Sequence, residues 1–337
     1  MQQFQGGPML NNRPRHILRS DQFDREFLDY LYSLVNLIRR YDKSKEGLLY
    51  LQSLLPHVRG MLYFTQPSTR TFMSFHSACS ILGVKTSEIR DSATSSEKKG
   101  ESIEDSLRTF SSYVDLIVMR SPEAGLCERI ATLLDSTPRP VPIINAGSGP
   151  DEHPTQALLD IYTLRRSFKG NQIDGKKICM VGDLKRGRTV RSLSRLLANY
   201  HDVSITFVSP EQFRIEQDLR DCLTNKAVPF TETTDFEGAI QDADAIYMTR
   251  IQDEWDEHSE SSSVDHSDFC LHYDHLDSIK EDCVIMHPLP RRDEIDPKID
   301  ADPRAKYWRQ ERNGMWVRVA LIAILMGVDH QVMLPEL

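Results

Sequence analysis

No apolar run in the sequence approaches the ~20 residues that a membrane-spanning helix requires. The longest, residues 319–328, falls far short, so a soluble chain with no membrane partner is expected. The first 20 residues hold Gln, Asn, Arg and Pro without an apolar stretch resembling a secretory signal core, and a cytoplasmic location is the default. The six cysteines, at 79, 127, 179, 222, 270 and 283, never form a Cys-x-x-Cys pair, and a chain of this length needs no disulfide framework. They read as reduced core residues, with no metal site. Positive charge is in deficit: 41 Lys and Arg against 50 Asp and Glu leave a net charge of -9. Such a surface repels nucleic acid, so any anion must be held in a local pocket. No repeat of solenoid period is present, which excludes an array.

What is there fits two globular domains. At ~100–200 residues per domain, 337 residues predict about two, each able to bury a core. Phe23, Phe27, Leu28, Leu31, Leu34, Val35 and Ile38 recur at helical spacing and predict a packing helix over 21–40. Beyond Gly60, strand-like runs at 61–64, 116–119 and 142–144 alternate with helical patterns at 72–82, 103–114, 126–134 and 155–164. Gly175 restarts the rhythm, with strands at 178–181, 204–208, 245–248 and 284–286 and helices at 189–200 and 213–223. This predicts an α/β fold of two doubly wound parallel-sheet domains. Residues 253–268 carry seven acids, clustered serines and no Lys or Arg, and read as a loop.

The chemistry collects where strands end. Ser68-Thr69-Arg70-Thr71 lies between a strand and a helix, with Ser68 placed to cap it; a helix N-terminus, three hydroxyls and a guanidinium make a phosphate cradle without P-loop glycines. The competing reading, an ordinary capped helix start, weighs about as much for that segment alone. Ser95 to Glu101, by itself, is a solvated charge run. Arg120 stands at a strand's carboxyl end, where α/β sheets bind ligands. His153 and Gln156 flank the start of a helix opened by Pro154. In the second half, Gly182 to Thr189 lacks Gly-x-Gly-x-x-Gly, which weakens a dinucleotide reading, but it places Arg188 at a strand-to-helix turn. Arg250 and Gln252 end another strand. Two guanidiniums at neighbouring turns suit a small dicarboxylate. The last strand ends in His287-Pro288-Leu289-Pro290, whose prolines leave carbonyls available to a ligand amide.

Taken in order, Ser68-Thr-Arg-Thr71, Lys98-Lys-Gly-Glu101, Val118-Met-Arg120, His153-Pro-Thr-Gln156, Gly182-Asp-Leu-Lys185 with Gly187-Arg-Thr189, Met248-Thr-Arg-Ile-Gln252 and His287-Pro-Leu-Pro290 resemble the catalytic chains of the aspartate carbamoyltransferases, in the aspartate/ornithine carbamoyltransferase superfamily. The match runs from about Arg15 to Gly327. The resemblance implies transfer of the carbamoyl group of carbamoyl phosphate to the amino group of L-aspartate, in pyrimidine synthesis and without a cofactor. It implies a carbamoyl-phosphate domain over 1–154 plus 312–337 and an aspartate domain over 155–311, with the two closing on each other. The final helix, 317–326, would cross back to the first domain. Carried over, Ser68, Thr69, Arg70 and Thr71 hold phosphate, and Thr71, Arg120 and His153 meet the carbamoyl oxygen. Gln156 and the carbonyls of Pro288 and Leu289 take the carbamoyl NH2, while Arg188, Arg250 and Gln252 grip aspartate. Ser95 and Lys99 would come from the neighbouring subunit of a homotrimer that shares its active sites. A regulatory chain or another pyrimidine enzyme is a possible further partner.

Two positions depart from the family pattern. Gln66 stands where these enzymes usually carry Glu, and Trp255 where many carry Arg, so an interdomain ion pair is lost on both sides and closure is expected to rest on Trp255 or other contacts. Ornithine carbamoyltransferases typically end the last strand in His-Cys-Leu-Pro and carry an acidic motif around Ser-Met-Gly; His287-Pro288-Leu289-Pro290 and Arg250 favour aspartate. A non-catalytic scaffold homologue would be expected to lose phosphate or oxyanion donors, and none of those positions is lost.

Overall fold

The computed structural model describes residues 10, 12–90, 100–149, 151–250 and 267–333. The chain divides into two compact units, Met1–Thr155 with Gly314–Leu337, and Gln156–Asn313. The dividing points fall at Thr155/Gln156 and Asn313/Gly314.

The first unit holds a four-stranded, all-parallel sheet in the order β2-β1-β3-β4. Its strands are β1 (Arg59–Phe64), β2 (Lys85–Ile89), β3 (Leu116–Ser121) and β4 (Ile143–Ser148). Helices α1 (Arg25–Tyr41) and α2 (Lys45–Gln52) precede β1, and α3 (Thr69–Ile81), α4 (Ile103–Ser111) and α5 (Leu126–Asp135) connect the strands in turn. Helix α1 buries the expected stripe but starts later than residue 21, because the Asp24 carboxylate accepts from the Phe27 N–H and ends the preceding turn Ser20–Gln22. β1 and β3 are buried on nearly every residue, as strands covered on both faces must be.

The second unit holds a five-stranded parallel sheet ordered β7-β6-β5-β8-β9. Its strands are β5 (Lys177–Val181), β6 (Ser204–Val208), β7 (Phe230–Thr233), β8 (Ala245–Met248) and β9 (Val284–Met286). The helices are α6 (Pro154–Ser167), α7 (Arg188–Leu197), α8 (Gln217–Asn225) and α9 (Phe236–Gln241), with α10 (Tyr307–Leu325) and α11 (Asp329–Met333) closing the chain. Helix α8 starts at Gln217 and not at 213, because the Phe213 carbonyl accepts from the Leu184 and Lys185 N–H groups and holds that turn outside the helix. Helix α10 begins ten positions before the expected 317, its polar first half having masked the apolar rhythm. Residues from Gly314 onward belong to the first unit, where Arg318 donates to Ser74 at 2.7 Å and lies over the Phe75 ring.

All six cysteines are free thiols; Cys79, Cys127, Cys179 and Cys283 are buried, whereas Cys222 and Cys270 are only partly so, correcting the expectation that all six are core residues. Among the described residues no helix is long and apolar enough to cross a membrane, and no group of three or more His, Cys, Asp or Glu is placed to hold a metal. The expected loop at 253–268 lies almost wholly outside the described residues.

Candidate active-site residues at two sheet edges

In each sheet the strand order reverses once, between β1 and β3 in the first and between β5 and β8 in the second. Helices leave such a point on opposite faces, so a crevice opens outside the carboxyl ends of the two strands. Of the residues singled out from the sequence, Ser68 to Thr71 follow β1, Arg120 stands at the carboxyl end of β3, and Arg188 and Arg250 follow β5 and β8, whereas His153 follows β4 and Pro288 and Leu289 follow β9.

In the first unit, register pairs Phe64 with Arg120, so the cradle segment and the arginine emerge side by side. The Arg120 carbonyl accepts from the Thr65 N–H at 3.0 Å, tying the turn after β1 to the end of β3. The β3–β4 pairing then slips: Met119 faces Asn145, but Ser121 faces Ser148. A bulge of this kind re-aims the side chain opposite it. Here Arg120, 7% exposed, donates from Nη1 to the Ala146 carbonyl at 2.9 Å, which holds its guanidinium at the carboxyl edge of the sheet.

Helix α3 starts at Thr69 with Ser68 at its N-cap. The expected cap is only half realised. The Ser68 carbonyl accepts from Phe72 N–H, but its side chain makes no capping hydrogen bond, so the first-turn N–H groups are not closed by it. Thr69 and Arg70 are exposed and Thr71 is buried. An anion at this point would meet backbone donors, the positive end of the helix dipole and a guanidinium. His153, 5% exposed, directly precedes Pro154, the first residue of α6.

In the second unit, Val181 pairs with Met248 and the chain beyond each strand turns outward. Only glycine fits at 182: its φ is +120°, and a Cβ there would stand 2.2 Å from the Thr249 carbonyl. Thr249 is pinned in return, its N–H and hydroxyl both donating to the Val181 carbonyl at 2.8 Å. Arg250 follows immediately and is half-buried. The basic residues of the 182–189 turn divide by role. Arg186 pairs through Nε with the fully buried Asp183 at 2.8 Å and lies over the Phe213 ring, shaping the turn. Arg188 opens α7, which has no side-chain cap.

The last strand leads into the His287–Pro290 turn, where Leu289 takes a left-handed φ of +49°. The Leu289 N–H donates to His287 Nδ1 at 2.8 Å, and Nε2 lies 2.6 Å from Glu294 Oε1. A ring nitrogen that accepts carries no proton, so the imidazole is protonated at Nε2 and donates to the carboxylate. Burial holds the His287 pKa below its ordinary value, in keeping with that neutral form. Among the described residues no backbone N–H reaches the Pro288 or Leu289 carbonyl.

Gln156, on the first turn of α6, was legible as a candidate; the residue that holds it was not. Gln156 Nε2 donates to Asp160 Oδ1 at 3.0 Å, and the same oxygen accepts from Gln310 Nε2 at 2.7 Å. Asp160 Oδ2 accepts from the Tyr247 hydroxyl at 2.8 Å. Asp160 is fully buried, and burial pushes its pKa up to about 7 against these hydrogen bonds. A lone acid inside the apolar run from Ala157 to Tyr162, four residues after Gln156, is the signal that could have found it. Ser95, Lys99, Gln252 and Trp255 lie outside the described residues; Gln66 is half-buried.

Two family models match the chain. One, described as the carbamoyl-P binding domain of aspartate/ornithine carbamoyltransferase, covers residues 15–166; the other, described as the Asp/Orn binding domain, covers residues 174–325. The chain is 41% identical over 314 residues to aspartate carbamoyltransferase 2, chloroplastic, of Pisum sativum, spanning 92% of this chain and 78% of the relative. It is 38% identical over 315 residues to the aspartate carbamoyltransferase catalytic subunit of Thermococcus onnurineus, spanning 93% and 97%. Among solved structures it is similar to the Trypanosoma cruzi aspartate transcarbamoylase in complex with N-(phosphonacetyl)-L-aspartic acid, with a TM-score of 0.84, 34% identity and coverage of 94% and 97%. The M. jannaschii aspartate transcarbamoylase catalytic subunit gives a TM-score of 0.80 at 34% identity, over 93% and 98%.

Proposed function

The chain belongs to the aspartate/ornithine carbamoyltransferase family, and from that premise we propose that it transfers the carbamoyl group of carbamoyl phosphate to the amino group of L-aspartate, giving N-carbamoyl-L-aspartate and phosphate. The pyrimidine pathway consumes that product. The observation that carries the reading is the arginine at each sheet's switch point: Arg120 locked onto the Ala146 carbonyl beside the helix α3 N-terminus, and Arg250 beyond the Gly182–Thr249 contact.

In this reading the neutral amino nitrogen forms a bond to the carbamoyl carbon, the carbon–oxygen bond to phosphate then breaks, and the proton shed by the nitrogen ends on the leaving phosphate. The carbonyl oxygen gathers negative charge first and the leaving phosphate takes it up. Ser68, Thr69, Arg70, Thr71 and the first-turn N–H groups hold the phosphate. Thr71, Arg120 and His153 are the donors for the carbamoyl oxygen, and such donors help most where they are fixed before charge develops. Gln156 and the carbonyls of Pro288 and Leu289 accept from the carbamoyl NH2. Arg188, Arg250 and Gln252 bind the two carboxylates of aspartate, and Ser95 and Lys99 reach in from the neighbouring subunit of a homotrimer. The reading keeps a cytoplasmic location, although the Pisum sativum and Arabidopsis thaliana relatives are named chloroplastic.

The purified chain, given carbamoyl phosphate with L-aspartate or with L-ornithine, tests this. N-carbamoyl-L-aspartate is expected and citrulline is not. No product from aspartate overturns the proposal, and a light-scattering mass other than three chains overturns the trimer.

A further inference from the structure

We propose that Asp160 is a positioning residue for the carbamoyl nitrogen: its carboxylate sets which end of the Gln156 amide is presented to substrate and, through Gln310, where the main chain of the His287–Pro290 turn lies. The proposal rests on the reading above, in which Gln156 and the turn carbonyls accept from the carbamoyl NH2.

The argument is one of donors and acceptors. A glutamine amide has a donating and an accepting end of nearly the same shape, and only its neighbours decide which faces where. A carboxyl oxygen that carries no proton accepts and never donates, and with two glutamine amides on Oδ1 a proton taken up by Asp160 belongs on Oδ2, facing the Tyr247 hydroxyl. Asp160 Oδ1 therefore requires the NH2 of Gln156 on its own side, at 3.0 Å, which turns Gln156 Oε1 away and leaves it for another donor. The same oxygen fixes Gln310 in the same sense, its NH2 toward Asp160 at 2.7 Å and its Oε1 accepting from the His287 N–H at 3.1 Å. One buried carboxylate thus fixes one acceptor directly and the chain carrying the others at one remove. The Tyr247 hydroxyl, at 2.8 Å on Oδ2, keeps the carboxylate from rotating, and Tyr247 is itself 1% exposed. The packing of α10 on α6 does not depend on Asp160 alone, since Asn313 Nδ2 donates to Thr163 Oγ1 at 3.0 Å.

Acetyl phosphate, which carries a methyl where carbamoyl phosphate carries NH2, gives the readout. The protein as isolated is expected to bind carbamoyl phosphate more tightly than acetyl phosphate. Asp160→Leu, which removes the acceptor that Gln156 and Gln310 share while keeping a side chain of similar size, is expected to lower that preference by roughly tenfold, with inorganic phosphate affinity unchanged. Gln156→Ala is expected to lower it similarly, and the double variant to lose no more than either alone. If Gln156→Ala lowers the preference and Asp160→Leu does not, the positioning role is overturned while the functional reading stands. If Gln156→Ala leaves it intact, the assignment of Gln156 fails and the proposal with it. An equal loss of phosphate affinity in Asp160→Leu also overturns the proposal, because it marks general damage. Should Asp160→Leu not fold, Gln310→Met carries the test through the turn: a reduced preference supports the proposal and an unchanged one overturns it.

Discussion

Replacing Arg120 with alanine separates the chemistry at the end of β3 from its folding. The side chain is 7% exposed and makes a charge-assisted hydrogen bond to the Ala146 carbonyl at 2.9 Å. Losing that bond costs ~1.5–3 kcal/mol of stability. At ~2–4 °C per kcal/mol for a domain of this size, the melting temperature should fall by roughly 3–12 °C. The strand survives, because the carbonyl of residue 120 still accepts from the Thr65 N–H. In the role proposed for it Arg120 is an oxyanion donor, whose loss is worth ~10²–10³ in turnover, or ~2.7–4 kcal/mol of transition-state stabilisation. The two energies are of similar size, yet the assays read them differently. A fold stable by ~5–15 kcal/mol remains almost fully populated after such a loss, while turnover drops by its whole factor. Circular-dichroism melts and turnover at saturating carbamoyl phosphate and aspartate, on one preparation, check this. Turnover within fivefold of the unaltered chain refutes the oxyanion role, and so does a loss that merely tracks the unfolded fraction.

The two arginines of the 182–189 turn should behave oppositely. Arg186→Ala removes the guanidinium 2.8 Å from the fully buried Asp183 and should cost ~3–5 kcal/mol of stability, whereas Arg188→Ala should cost ~1 kcal/mol or less, as the partly exposed charge contacts of a surface arginine do, and raise the aspartate KM by ~10–100-fold. Melts and aspartate saturation curves of both variants check the division, and one shared pattern sinks it. Burial raises Asp160 to about 7, above its unfolded value near 3.9. Its contribution to stability is therefore fully present below about pH 4 and lost as pH rises through about 7. Asp160→Asn removes that dependence, so its melting temperature relative to the unaltered chain should climb between pH 5 and pH 8; parallel profiles refute the buried carboxylate.

The sequence showed its elements where burial enforces a pattern and hid them where it does not. Strands at 204–208, 245–248 and 284–286 are apolar runs between turns and appear with the expected bounds. β2 and β7 went unread because each is an edge strand of mixed exposure, Lys85–Ile89 and Phe230–Thr233, with neither an apolar run nor clean alternation. The Ser68–Thr71 segment was legible as a candidate from side-chain chemistry, and its expected place between strand and helix is the one observed. The network behind Gln156 was not, since Tyr247 and Gln310 stand far from Asp160 in sequence and nothing about an isolated Tyr or Gln announces a hydrogen bond across that distance. Arg186 and Arg188 could not be told apart either, because the buried Asp183 that claims one of them is read only in the folded turn.

A chain with a net charge of -9 that binds two anionic substrates raises a question of range. At physiological ionic strength charges are screened beyond ~8 Å, so overall charge governs approach weakly and contact not at all. What decides contact is whether donors can be held close to one anion without being spent on carboxylates of the protein itself. The two switch points meet that requirement with backbone. Arg120 donates to a carbonyl, that of Ala146. The first turn of α3 offers N–H groups that the Ser68 side chain does not cap. The turn before α7 matches its own buried acid, Asp183, with one arginine, Arg186. Parallel sheets supply the remaining geometry, because register puts Phe64 beside Arg120 and Val181 beside Met248, joining segments that are remote in sequence. Binding strength for an anion therefore resides in a few preorganised neighbours, and the acidic surface is no obstacle to it.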